Sequence, residues 1–220
     1  FPGSAGGTGF GLTILSHRHR LAFIAIPKSA SHSVRFALRD QLGPEDEEQV
    51  ALFVQRRIDH PVFAAGHGHQ TARQVREFLG AGRWTEYRSF AVIRNPWERF
   101  VSCVAFMMRN NGLFEQDPRG TMYRVLEMPQ QLARVHYWPQ SDFVCDEDGK
   151  VMVSRLLRAE RLQEGFDALC AETGLTPRTL EVRNASAHRH YADYYDDDLR
   201  RSVEALYADD LRRFGYRFGE

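Results

Sequence analysis

The sequence predicts an α/β fold in three layers, a central parallel sheet flanked by helices. Two observations carry this. Short apolar runs at residues 21–26, 62–65 and 90–93 each lead through a polar loop into a stretch with helical spacing, the alternation that builds parallel sheets. The loops with unusual chemistry all follow such runs, where open α/β sheets bind ligands.

Residues 21–26 (LAFIAI) read as a buried strand closed by Pro27. Apolar residues at Val34, Ala37 and Leu38 predict a helix over 33–42, ended by Gly43-Pro44. A further helix is expected over 45–58 and a short strand over 62–65, followed by Gly66-His67-Gly68-His69. Residues 71–79 predict a helix stopped by Gly80, residues 90–93 a third strand, and 96–108 the helix after it. In the second half the pattern predicts helices over 119–135, 160–172 and 196–214, with a hairpin over 143–154 turning at Asp146–Gly149. The glycine-rich start lacks the charged region of a signal peptide, so residues 1–20 are expected as a flexible lead and 21–220 as one domain.

Composition narrows the function. With 43% hydrophobic and 26% charged residues the chain can build an ordinary core, and its zero formal net charge disfavours a nucleic-acid binder. No apolar run is long enough to span a bilayer. The three separated cysteines, Cys103, Cys145 and Cys170, suit a reducing compartment and offer no CxxC pair for zinc. Of 29 basic residues only Lys28 and Lys150 are lysines, which draws attention to Lys28 at the end of the first strand.

The first loop is Pro27-Lys28-Ser29-Ala30-Ser31-His32-Ser33. Small residues let backbone N–H groups approach an anion, the helix start adds its positive dipole end, and Lys28 adds a full charge. This outlines a phosphate cradle; the other reading is a serine-rich helix cap. It is not a Walker A loop, which needs glycines and a late lysine. The loop after the third strand is Arg94-Asn-Pro-Trp-Glu-Arg-Phe-Val-Ser102. Asn95, Pro96 and Glu98 read as cap, first helical residue and capping-box partner. Arg94 is left at the strand end with Ser102 two turns along the same face, a guanidinium fork and a hydroxyl suited to phosphate. A structural salt bridge is the other reading of Arg94.

Together the two loops resemble the signatures by which sulfotransferases bind 3′-phosphoadenosine 5′-phosphosulfate (PAPS). The similarity is to the carbohydrate sulfotransferase-like branch that includes heparan sulfate 2-O-sulfotransferases and many bacterial relatives. The resemblance implies a P-loop NTPase-like fold. It implies that Lys28, Ser29, Ala30, Ser31, His32 and Ser33 hold the 5′-phosphosulfate, and Arg94 and Ser102 the 3′-phosphate. Gly68-His69-Gln70-Thr71-Ala72-Arg73 is similar to the segment whose histidine is the catalytic base, and Arg158-Ala-Glu-Arg-Leu162 to a family R-x-E-x-L stretch. Asn184–Tyr191 resembles a loop that closes over the nucleotide, which adds Ser186 and Arg189 to the binding set, and residues 207–218 resemble the family's C-terminal helix and exit. Two residues depart from the family: Ala30 where glycine is usual and His32 where threonine is common.

The implied chemistry is an in-line displacement that moves a sulfuryl group from PAPS to an acceptor hydroxyl and releases adenosine 3′,5′-bisphosphate, with no metal required. His69 takes the acceptor proton, with His67 as its rival; two residues apart in an extended loop, the two point opposite ways. Lys28 stabilises the leaving group, and the serine hydroxyls orient the 5′-phosphate. Acceptor specificity is expected between residues 107 and 140, with Trp138 and its neighbours as a candidate wall. The acceptor is expected to be a glycan or a small molecule, and the setting a bacterial cytoplasm. The rival classes are a P-loop-type kinase and a non-catalytic nucleotide-binding protein. His17–Arg20 reads as a solvated basic turn.

Overall fold

The computed structural model describes residues 13–48, 68–181 and 189–220. A five-stranded sheet in the order β3-β1-β2-β4-β5 forms the centre. Its strands are β1 (Ile14–Ser16), β2 (Leu21–Ile24), β3 (Glu47–Glu48), β4 (Arg88–Ile93) and β5 (Arg155–Arg158). The expected parallel arrangement holds for β2, β4 and β5 alone; β1 runs antiparallel to both β2 and β3. The cause is the connection: four residues, 17–20, can turn a hairpin but cannot carry a parallel crossover. The sheet thus begins inside the segment expected as a lead, with Ile14 and Leu15 fully buried. Asp46 fastens this edge by accepting from Ser16 Oγ at 2.8 Å, Gly43 N–H at 2.8 Å and Arg18 N–H at 3.1 Å.

Strand alternation sorts the apolar residues into two cores. Leu21, Phe23, Phe90 and Val92 face α1 (Ser31–Arg39) and α9 (Leu162–Thr173). Ala22, Ile24, Ala91 and Ile93 face α2 (Ala72–Leu79), α3 (Ala81–Glu86) and α8 (Gln140–Val144). The helix–sheet–helix layering is therefore as expected. Phe23 and Phe90, paired in the parallel register, stack with ring centroids 4.9 Å apart. A third cluster packs α4 (Pro96–Met108) against α5 (Leu113–Gln116), α6 (Pro118–Leu126) and α10 (Asp197–Leu206).

Of the predicted elements, α4 matches over its whole length, and α2 ends at Gly80 after a capping box between Thr71 and Gln74. Three expectations in the second half are corrected. The helix over 119–135 is broken: Pro129 cannot continue a helix but can start one, so α7 (Pro129–Leu132) begins there and a 3₁₀ turn (Val135–Tyr137) follows. The hairpin over 143–154 shrinks to one bridge, Cys145 with Val151, because the apolar run entering it belongs to α8, and β5 pairs with β4 instead. A short apolar run cannot be assigned to strand or helix by periodicity alone. The last helix divides at Tyr207 into α10 and α11 (Ala208–Phe214); this tyrosine is fully buried and donates to the Tyr137 carbonyl at 3.0 Å. The helix expected over 45–58 is replaced at its start by β3, and residues 49–58, like the strand expected over 62–65, lie outside the described residues. No helix among the described residues is long and apolar enough to cross a membrane.

Candidate active site

A cavity of about 690 Å³ opens at the carboxyl ends of the parallel strands. Its wall is drawn from the loop after β2, from Arg94 after β4, from one side of α4, and from the 3₁₀ turn Ala159–Arg161 after β5. The volume suits a nucleotide-sized ligand.

The first loop is built under backbone strain. Lys28 and Ala30 both adopt left-handed geometry, each with φ of 62°. For residues with a Cβ this costs about 1–2 kcal/mol. The loop withstands it because its hydroxyls are spent holding it in shape. Ser29 Oγ and Ser31 Oγ both donate to the Ile26 carbonyl, at 2.9 and 2.7 Å, and Ser33 Oγ donates to the Glu181 carbonyl at 2.7 Å. Each hydroxyl has one proton to give. These hydroxyls, expected as phosphate donors, brace the loop as it stands. Ser29 is fully buried and does not reach the cavity, whereas Ser31 and Ser33 line it with Lys28, Ala30 and His32. Ala30 caps α1 without a side-chain hydrogen bond. The serine-cap reading thus fails, and the start of α1 turns toward the cavity.

Lys28 reaches across the site, its Nζ 4.4 Å from the centroid of the Phe106 ring. Burial lowers its pKa from the ordinary 10.5; the Cys103 thiol opposes that shift, and the cations Arg94 and Arg109 reinforce it. Desolvation likewise lowers the pKa of His32, with Arg35 and Lys28 adding to the effect. A desolvated cation is stabilised by an arriving anion more than one in water would be.

Arg94 is clamped from several sides. The Gln140 side chain accepts from its backbone N–H and donates to its carbonyl, both at 2.9 Å. Its guanidinium donates to Glu98 Oε1 at 2.7 Å and to the Lys28 carbonyl at 3.2 Å. The capping box expected between Asn95 and Glu98 does not form. Asn95 Oδ1 accepts from Trp97 N–H at 3.1 Å, Glu98 turns to Arg94, and Asn95 N–H is taken by Glu160 Oε1 at 2.7 Å. Ser102 lines the cavity one turn beyond Glu98, and Phe106 one turn further.

His69 is almost fully buried and lines the same cavity. Its Nδ1 lies 2.8 Å from the Ala25 carbonyl. A carbonyl only accepts, so Nδ1 donates to it, and a neutral ring would then carry its lone pair on Nε2, the tautomer a general base needs.

The sulfotransferase family model matches residues 12–217. The chain belongs to this family. No curated protein and no solved structure gives a significant match to the chain.

The sulfotransferase brings Lys28, Ala30, Ser31, His32, Ser33, His69, Arg94 and Ser102 to one cavity. Ser29 sits beneath it. Arg189 is exposed and directed to Tyr194, 5.1 Å from that ring, and is not among the lining residues. His67 and Ser186 lie outside the described residues. Sequence reasoning missed several contributors. Phe106 continues the four-residue spacing of Glu98 and Ser102, a signal that was present. His136 comes from the segment suspected as an acceptor wall; its ring stacks on Phe106, with centroids 5.5 Å apart, and meets His69 edge-on at 5.9 Å. Arg99 is fully buried and donates to the carbonyls of Pro27 at 2.9 Å, His136 at 3.1 Å and Trp138 at 3.0 Å. One guanidinium therefore fixes the first loop and the His136 wall together.

Proposed function

We propose that this sulfotransferase transfers a sulfuryl group from PAPS to an acceptor hydroxyl, with adenosine 3′,5′-bisphosphate as the second product. The donor chemistry of the cavity fits that anionic co-substrate: a desolvated lysine, an arginine fork, and a helix start capped by no side chain. A P-loop NTPase-like arrangement is part of this reading, supported by loops at the carboxyl ends of β2 and β4 with helices following each.

PAPS supplies an activated sulfuryl group on a phosphate leaving group. His69 Nε2 takes the proton of the acceptor hydroxyl as its oxygen bonds to sulfur. The bond from sulfur to the bridging oxygen breaks, and its electron pair goes to the departing phosphate, where the Lys28 ammonium stabilises the added charge. The backbone of the first loop and the Arg94 fork hold the two phosphate ends in line, which is most of what such a transfer asks of a protein. Phe106 and His136 form the neighbouring wall where an acceptor would lie against His69.

The observation that carries the proposal is the His69 Nδ1 contact with the Ala25 carbonyl in the cavity that also holds Lys28. His69→Ala should lower turnover about 10²–10⁴-fold, the usual worth of a general base. Calorimetric affinity for adenosine 3′,5′-bisphosphate should stay within about twofold, since His69 is given no part in holding it. Unchanged turnover would remove His69 from the role of base.

A further inference from the structure

Glu98 stands out in a cavity assigned to a polyanion. Glu160 is occupied by Asn95 N–H and the Tyr216 hydroxyl, and Glu164 by Arg161. Glu98 instead occupies the one arginine of the site proposed for the 3′-phosphate, at 2.7 Å.

Orientation does not account for it. The Arg94 backbone is already clamped at both its N–H and its carbonyl by Gln140, and Nη1 is held by the Lys28 carbonyl. A neutral amide at position 98 would keep an acceptor for Nη2. What the carboxylate adds is charge, and two anions sharing one guanidinium repel each other. Arg94 and Glu98 are 25% and 33% exposed, so the pair can rearrange around a ligand without unpacking the core.

Building on the donor reading above, we infer that Glu98 acts through Arg94 as a built-in counter-ion that weakens the hold on the 3′-phosphate and so lets the bisphosphate product leave. Glu98 is thus a positioning residue that tunes release and takes no part in the chemical step. The effect is confined to ligands that carry a 3′-phosphate.

The test is calorimetric titration of the full chain with adenosine 3′,5′-bisphosphate and with adenosine 5′-monophosphate. At low salt Glu98→Gln should bind the bisphosphate about tenfold tighter. Its affinity for the monophosphate should move by less than about twofold. At about 1 M salt, where the screening length is about 3 Å, the gain should largely vanish. Glu98→Asp, which keeps the charge, should stay within about threefold of wild type. In turnover, Glu98→Gln should show product inhibition stronger by the same factor. The inference is overturned if Glu98→Gln binds the bisphosphate more weakly or equally, or tightens both ligands alike. If the wild-type protein binds no bisphosphate, the donor reading itself is overturned.

Discussion

The two loops at the ends of β2 and β4, both proposed to hold the anionic donor, present their groups to the cavity by opposite means. The first is strained, with Lys28 and Ala30 in left-handed geometry and its serine hydroxyls turned inward as braces. It offers backbone and one long cation. The second is relaxed: Asn95 caps a helix that begins with proline, and the site contact is a side-chain fork set by Gln140 and Glu98. Strain is therefore concentrated where backbone lines the cavity, as is common at functional sites. Where a side chain faces it, ordinary helix-start chemistry suffices.

Substitutions in the first loop have the largest expected effects. Lys28→Met should lower kcat/KM about 10²–10³-fold, the scale on which preorganised charge acts in a transition state. Circular dichroism and the melting temperature should change little, since burial already disfavours the ammonium. Ser29→Ala should do the reverse. It removes a buried hydrogen bond to Ile26, costing about 1 kcal/mol of stability read by denaturant unfolding, and leaves bisphosphate affinity within about twofold. A large loss of affinity would return Ser29 to the ligand. Ala30→Gly relieves the positive φ at the price of unfolded-chain entropy, and should raise stability by about 0.5–1 kcal/mol with activity retained.

The smallest effect is in pH. The folded pKa of His32 lies below its ordinary 6.5, so between those two values the unfolded chain binds more protons. Stability should therefore fall as the solution is acidified below about 6.5 and recover above it. His32→Asn should flatten that slope in urea melts across the range. A slope left unchanged would assign it to other groups.

Local signals in the sequence carried the parts of the fold that local forces decide. Helix α4 was readable to the residue because Asn95 and Pro96 fix its start, and α2 to within one residue, Thr71 serving as its cap and Gly80 as its stop. The antiparallel β1–β2 pair was not readable, since three residues of strand before a basic turn carry too little pattern. Within the site, the loops and His69 were legible as motifs. The partners of Gln140, Glu160, Arg99 and His136 were not, because each is met across a long stretch of chain: Gln140 acts on Arg94, and Arg99 joins Pro27 to His136. Glu98 carried a local signal that misled. Its position suited a capping box, and only the placement of Arg94 shows where its charge is used.

Sulfuryl transfer from PAPS is tested most simply by following the labelled group. The protein is incubated with sulfur-labelled PAPS and a panel of hydroxyl acceptors spanning neutral and acidic sugars, lipids and phenols, in the presence of a chelator, and products are read by mass. A parallel reaction holds ATP and Mg²⁺. The expected result is an acceptor that gains the labelled sulfuryl group, with one bisphosphate released per transfer and the signal lost in His69→Ala. Phosphoryl transfer from ATP that requires Mg²⁺, with no product from PAPS, would contradict it.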